Sequence, residues 1–417
     1  MTAAATAAPE ALQPMRLVIV YFGPFNVNSA IQAFHFAGDL TAAGWTVTLA
    51  GVGDPGMIRE VGEPSFECVN HHDLPQVLER CRQAPEPTIV FAWTPRENVR
   101  VATEDFTRRL GCPYVIHLED NEWHLYGEAV GRPIEEVRRL SIAEQDRITP
   151  PALIHPTRSE AFMANAAGIT VITEELNEFN RAGLPHHVAR PGIDPERFRP
   201  DLEPPLSRAA LGIGADEFVL VYHGTVHYAN QHEMLSLYLA VKLLQRRGRK
   251  VRLIRLGETD PGGVDPRSLG ALRDRVVELG SVGWREIPGF LALADAFVQP
   301  GAPDDFNRYR LPSKLPEFLA MGRPVVLPDC NIGHDLEHRR EALLLERGDG
   351  IEIAARLEQL IDDRELRDRL AAGARSFALA QLNWKDNSIA LGHFLNRISR
   401  AHSGDHQSAP LTASPAR

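Results

Sequence analysis

Short apolar runs, many of them β-branched, recur along this chain, and between them lie longer stretches whose apolar positions return every third or fourth residue. Runs of the first kind suit strands buried on both faces, and stretches of the second kind suit the helices that cover them. In the first half the predicted strands are Arg16–Phe22, Trp45–Val52, Thr88–Trp93, Tyr114–Leu118 and Ile169–Thr173. After the first of them comes Gly23-Pro24-Phe25-Asn26-Val27-Asn28. A helix follows, with Ser29 expected as its N-cap, Ala30, Ile31, Phe34, Ala37 and Leu40 as its inner face, and Gly44 as its end.

The second half repeats the scheme with Phe218–Tyr222, Val251–Leu256, Val276–Val282, Ala296–Gln299, Pro324–Leu327 and Ala342–Leu345. Two doubly wound α/β domains are the simplest account. Pro and Gly crowd the segment Arg190–Pro200, where few backbone groups can join a ladder, so it reads as the linker. The expected boundaries are a disordered leader over 1–14, a first domain over 15–189, a linker over 190–204, a second domain over 205–384, a final helix over 385–400 and a disordered tail over 401–417. The carboxyl-terminal tail carries too little apolar surface to offset the entropy of ordering it.

Charge and composition narrow the function. Against 55 Asp and Glu stand 45 Lys and Arg, a formal charge of −10, so the molecule as a whole does not attract nucleic acid or an anionic membrane. No stretch approaches the roughly 18 uninterrupted apolar residues of a membrane span. The amino terminus lacks the basic start and apolar segment of a secretory signal. Cys68, Cys81, Cys112 and Cys330 are far apart and without CxxC spacing, which argues against a zinc site or a disulfide scaffold and fits a reducing cytoplasm.

The most informative stretch runs from Phe306 to Val326, FNRYRLPSKLPEFLAMGRPVV. A polar loop leads into a short helix, which Gly322 closes before a buried strand. Ser313 is placed to cap that helix, and Pro316 lies in its first turn, where a missing N–H does little harm. The first-turn amides, Leu315 among them, together with Ser313, Lys314 and Arg310, would stabilise a diphosphate. Glu317 would accept hydrogen bonds from the two hydroxyls of a ribose.

The run SKLPEFLAMGRPVV resembles the nucleotide-binding signature of glycosyltransferase family 4, retaining enzymes of the GT-B fold. Arg190–Pro200, Val282–Pro300 and Asn28–Val47 are similar, in order and spacing, to further segments of that family. The resemblance implies two Rossmann-like domains facing a cleft, the acceptor on the first and a nucleotide sugar on the second, with a carboxyl-terminal helix crossing back to the first. It implies a sugar nucleotide as donor, UDP-hexose by default, no required cofactor and no metal. The acceptor is left open among carbohydrate, lipid-linked and protein classes. Chemistry would rest on orientation and on stabilising the departing diphosphate, without an enzyme nucleophile.

Two departures from the family pattern stand out. Tyr309 occupies the place of the first of two glutamates, and His223–Gln231 lacks the usual Arg and Lys. A nucleotide-sugar-binding subunit without turnover, or a GT-B epimerase or hydrolase, therefore stay open as alternatives. His117, at the end of YVIHL, matches a family histidine near the donor sugar, and a hydrogen-bonded structural histidine is the competing reading. Glu119, Asp120 and Glu122 either bind hydroxyls or form a solvated loop. Gly23 would let backbone approach the donor, though turn geometry explains it equally well, and Gly224 and Thr225 are expected to bind the donor. His223, His227 and His232 have no supporting ligand geometry and read as an ordinary strand-to-helix loop.

Overall fold

The computed structural model describes residues 11–227, 230–260 and 274–408. Most of the expected leader (1–10) and the end of the expected tail (409–417) lie outside the described residues, as do Tyr228 and Ala229 of the second-domain loop. The chain divides into two compact units, Met1–Arg190 with Trp384–Arg417, and Pro191–Asn383.

The first unit is built on a seven-stranded sheet, all of whose pairs are parallel. Its strands are β1 (Arg16–Tyr21), β2 (Thr46–Gly51), β3 (Glu67–Asn70), β4 (Thr88–Trp93), β5 (Tyr114–Leu118), β6 (Gly168–Val171) and β7 (His186–Val188), in the order β3-β2-β1-β4-β5-β6-β7. In the middle of the sheet Ile19 stands between Leu49 and Phe91, all three fully buried. Helices on both faces require central strands that are apolar throughout, and this is why those strands are legible in the sequence. The two that are not, β3 and β7, are the edge strands. Glu67-Cys68-Val69-Asn70 and His186-His187-Val188 are only partly buried and need no apolar run.

The first helix spans Asn28–Ala42 and begins from Val27, with no side-chain cap. Ser29 is not its cap, because its hydroxyl donates instead to Glu119 Oε1 at 2.7 Å. The inner face is also rotated from expectation. Ile31 is exposed, whereas Phe36 is buried between Trp93 and Trp384.

The last helix, Trp384–Ser408, packs along this one. Trp384 stacks on His35 with centroids 4.4 Å apart, and Ser388 Oγ donates to Asp39 Oδ2 at 2.8 Å. Leu391, Phe394, Leu395 and Ile398 face inward. Two expectations about the ends are corrected here. The helix continues through Ser408 rather than stopping at 400, and residues 11–14 are placed against it, with Gln13 N donating to Asn396 Oδ1 at 3.0 Å. A Cβ on Gly392 would stand 2.7 Å from Leu12, so close packing at that glycine holds the leader's end.

The second unit has a six-stranded sheet, again with every pair parallel. It comprises β8 (Phe218–His223), β9 (Val251–Leu256), β10 (Val276–Gly280), β11 (Ala296–Val298), β12 (Val325–Pro328) and β13 (Leu343–Leu345), in the order β10-β9-β8-β11-β12-β13. β10 ends at Gly280, two residues short of expectation, where φ of +68° and a register shift break the ladder. A core of Leu237, Val241 and Leu244 from the helix Gln231–Arg246 and of Ile353, Leu357 and Leu360 from the helix Gly350–Asp362 covers one face. Among the described residues no helix is long and apolar enough to cross a membrane.

Candidate functional site

In a doubly wound parallel sheet, ligands collect beyond the carboxyl ends of the strands where the order reverses, because neighbouring loops diverge there. The second sheet reverses between β8 and β11. The loops leaving those strands begin with Gly224 and Thr225 on one side and with Gln299, Pro300 and Gly301 on the other. The helix Lys314–Ala320 lies beside them.

A side chain approaches the backbone closely at this edge. Gly224 has φ of +127°, and a Cβ there would stand 3.2 Å from Lys314 Cε and 3.5 Å from its Nζ. The Lys314 ammonium also lies 5.0 Å from the centroid of the Tyr222 ring. Among the described residues Lys314 makes no ion pair, so its charge remains available to an anion. Thr225 is exposed, and its carbonyl accepts from Asn230 Nδ2 at 2.9 Å.

Arg310 is placed differently from expectation. Its Nη2 donates to Glu233 Oε1 at 2.8 Å and to Asn307 Oδ1 at 2.7 Å, and its guanidinium lies 4.0 Å over the Phe306 ring. Asn307 in turn donates to Glu233 at 2.9 Å and receives Asn331 Nδ2 on its carbonyl at 2.7 Å. A carboxylate from the first turn of Gln231–Arg246 thus already answers the Arg310 charge. Glu233 and Asn307 carry no sequence signal for this, since only the fold brings a residue more than seventy positions away to Arg310.

Ser313 stands at the start of its helix with backbone angles of −56° and −23° and makes no capping bond, which corrects the expected cap. Leu315 is corrected as well. Its side chain is buried in the core, and its N–H is taken by the Pro312 carbonyl at 2.9 Å, leaving nothing for a ligand. Tyr309, in the place of the absent glutamate, is buried.

Glu317 is partly exposed and meets His223 from the end of β8, Nε2 to Oε2 at 2.7 Å. The contact lies off the line of a well-formed hydrogen bond, and both atoms are sealed from solvent. His223 closes β8 rather than lying in the loop, and its contact with a carboxylate is not visible in the sequence. Also missed in the sequence is a stacked pair. Arg197 lies 3.4 Å over the ring of the exposed Trp284 and donates to its carbonyl, close enough to Glu317 to feel its charge.

In the first unit the reversal falls between β1 and β4. Gly23 follows β1 as a buried residue. Its carbonyl accepts from Val52 N, and a Cβ would meet the Tyr21 hydroxyl at 3.3 Å. His117 is fully enclosed. Its Nδ1 contacts Thr170 Oγ1 at 2.9 Å, its ring packs 4.4 Å from Trp93, and its Nε2 is buried without a partner among the described residues. Burial pushes its pKa down to about 3. The structural reading of His117 therefore fits its surroundings, and contact with a donor sugar does not.

Glu119 and Glu122 are buried rather than solvated. Glu119 accepts from Ser29 and, at 3.1 Å, from Trp93 Nε1. Glu122 is held by Arg96 Nε at 2.9 Å. Burial raises the Glu119 carboxyl above its usual range against the opposing pull of Ser29 and Arg96. Among the described residues no group of three or more His, Cys, Asp or Glu side chains is gathered to hold a metal ion.

Comparison with known proteins bears on the second unit above all. Residues 217–363 match the family described as Glycosyl transferases group 1. A D-inositol 3-phosphate glycosyltransferase of Saccharomonospora viridis is 27% identical over 273 residues, 62% of this chain and 61% of that protein. A GDP-mannose-dependent alpha-(1-6)-phosphatidylinositol monomannoside mannosyltransferase of Mycobacterium tuberculosis is 27% identical over 220 residues, 49% of this chain and 54% of that protein. The chain thus spans between half and two thirds of the length of these curated relatives.

Among solved structures, Anabaena HepE in complex with UDP superposes with a TM-score of 0.65 at 15% identity, over 92% of this chain and 100% of that one. Sucrose-phosphate synthase from Thermosynechococcus elongatus does so with 0.64 at 15%, over 93% and 100%. At such identity the likeness speaks to the fold. Residues 217–363 match the group 1 glycosyltransferase family, and the chain that carries them has the GT-B fold.

Proposed function

We propose that this protein is a glycosyltransferase that takes a sugar from a nucleotide diphosphate held by the second unit and passes it to a hydroxyl-bearing acceptor, with retention at the anomeric carbon. The observation that carries the reading is Lys314, an ammonium without an ion pair among the described residues, set over Gly224 where the strand order reverses. A diphosphate laid along that edge gains a charge-assisted contact, and Glu317, one residue short of a helical turn from Lys314, is spaced to reach the adjoining ribose. Thr225 and Ser313, both exposed, supply hydroxyls on either side. As the glycosidic bond to the diphosphate breaks, negative charge grows on the leaving oxygen, and the fixed ammonium stabilises that state more than the ground state. UDP-hexose is the default donor, although a relative named for GDP-mannose makes a guanine nucleotide an equal first choice. Four thiols without a disulfide suit a cytoplasmic setting.

One observation favours a second reading, a sugar-nucleotide-binding subunit without turnover. Arg310 is held by Glu233, so of the two cations expected at the diphosphate only Lys314 is without an ion pair among the described residues. The experiment is a thermal-shift panel of UDP-, GDP- and ADP-sugars, followed by measurement of nucleotide release with the stabilising donor. Stabilisation with release supports the transferase, and stabilisation without release supports the binding subunit. If Lys314→Ala and Glu317→Ala both leave stabilisation and release unchanged, the donor site lies elsewhere.

A further inference from the structure

The contact between His223 and Glu317 has a consequence for how a nucleotide is selected. His223 is the last residue of β8, and its ring stands edge-on to Phe318 at 5.5 Å with planes 85° apart. Phe318 is fully buried and stacked on Phe297 of β11 at 4.4 Å, with planes 3° apart. The imidazole therefore stands between the end of β8 and the helix that carries Glu317. Its Nε2 covers Glu317 Oε2 at 2.7 Å, and among the described residues that oxygen has no other partner and no solvent contact. The other oxygen, Oε1, makes no hydrogen bond among the described residues and is not sealed as Oε2 is, in a side chain that is 25% exposed.

A carboxylate with both oxygens free binds two adjacent hydroxyls symmetrically, whereas one with an oxygen sealed presents a single acceptor in a fixed direction. We infer that His223 is a positioning residue for Glu317, directing Oε1 alone at one hydroxyl of the nucleotide ribose and so setting ribose selectivity. This rests on the donor site proposed above. The imidazole itself touches no ligand in this scheme. It restricts the carboxylate, so its removal costs selectivity more than it costs anchoring of the diphosphate by Lys314.

The test uses the full chain, with UDP and GDP each measured against their 2′-deoxy and 3′-deoxy counterparts by calorimetry. Wild type is expected to bind the ribonucleotide about tenfold more tightly than one of the two deoxy forms, and within about threefold of the other, the size of one charge-assisted hydrogen bond. Glu317→Gln removes the charge and is expected to level all three. His223→Phe keeps a ring against Phe318 but leaves Oε2 without its cover, and is expected to lose the asymmetry between the two deoxy forms. His223→Gln retains a donor and is expected to restore it. The double variant His223→Phe with Glu317→Gln should add nothing to Glu317→Gln alone. Thermal midpoints within a few degrees of wild type confirm that the variants are folded, and His223→Gln serves as the folded probe should His223→Phe fail this control. The inference is overturned if Glu317→Gln levels the three ligands while His223→Phe keeps the wild-type asymmetry, or while His223→Gln binds as Glu317→Gln does. If wild type binds neither nucleotide, or Glu317→Gln keeps the full asymmetry, it is the donor-site reading beneath it that falls.

Discussion

Replacing Gly348 by alanine tests how tightly the backbone is built behind the loop that leaves β11. Gly348 has φ of +68°, and a Cβ there would stand 1.8 Å from the Gly301 carbonyl oxygen, 2.4 Å from its carbon and 2.7 Å from Ala302 N. All three are backbone atoms, so no side chain can swing aside. Carbon and carbonyl oxygen settle no closer than about 3.3 Å, which obliges the two loops to part by roughly 1.5 Å. The left-handed conformation costs a residue with a Cβ about 1–2 kcal/mol, and forcing the packed loops apart adds about 1–3 kcal/mol.

Gly212 isolates the first contribution, since its φ is +69° and a Cβ there would meet nothing within 4 Å. Both positions belong to the second unit. For a domain of this size each kcal/mol lowers the midpoint by about 2–4 °C. Gly212→Ala is then expected to lose roughly 2–8 °C and Gly348→Ala a further 2–12 °C, read by near-ultraviolet circular dichroism on heating. Because Gly301 opens the loop at the strand reversal, Gly348→Ala should also weaken UDP binding, and Gly212→Ala should not. Equal midpoints for the two variants would refute the reasoning, since only the close approach to Gly301 distinguishes them.

Lys314→Met is expected to weaken UDP binding about 10–100-fold at low salt while leaving uridine nearly unchanged, and Arg310→Met, whose charge Glu233 already answers, should do less; isothermal titration of the four pairs decides it. Glu352 accepts from the N–H groups of Glu346, Arg347 and Gly348 at 2.9, 2.8 and 3.0 Å, and although burial opposes its charge, these bonds and Arg356 hold its carboxyl below the usual range. Glu352→Gln should therefore cost about 1–3 kcal/mol in urea denaturation at pH 7, and the gap to wild type should close as pH falls below the carboxylate range and through the lowered native pKa. His117 stays neutral when folded, with its pKa pushed to about 3 by burial, but takes up a proton near pH 6.5 when unfolded. The stability of the first unit should then fall as pH drops from 6.5 toward 3, by up to about 1.4 kcal/mol per pH unit, and His117→Gln should flatten that slope; a urea series against pH that shows no difference between the two would contradict the neutral, enclosed ring.

What the chain determined by itself is its framework. Central strands such as β1, β4 and β8 are buried on both faces, so nearly every residue in them must be apolar and the run shows in one dimension. The turn after β8 at Gly224 and the cation that opens the helix Lys314–Ala320 show in the sequence because both are local features. Tertiary structure decided the pairings. Whether Arg310 is free depends on Glu233, whether Glu317 offers one oxygen or two depends on His223, and whether His117 meets solvent depends on Trp93 and Thr170. Partners so distant along the chain meet only when the sheet is assembled. The edge strands β3 and β7 were hidden for a complementary reason: a strand covered on fewer sides needs no apolar signature, and only pairing with its neighbour makes it a strand at all.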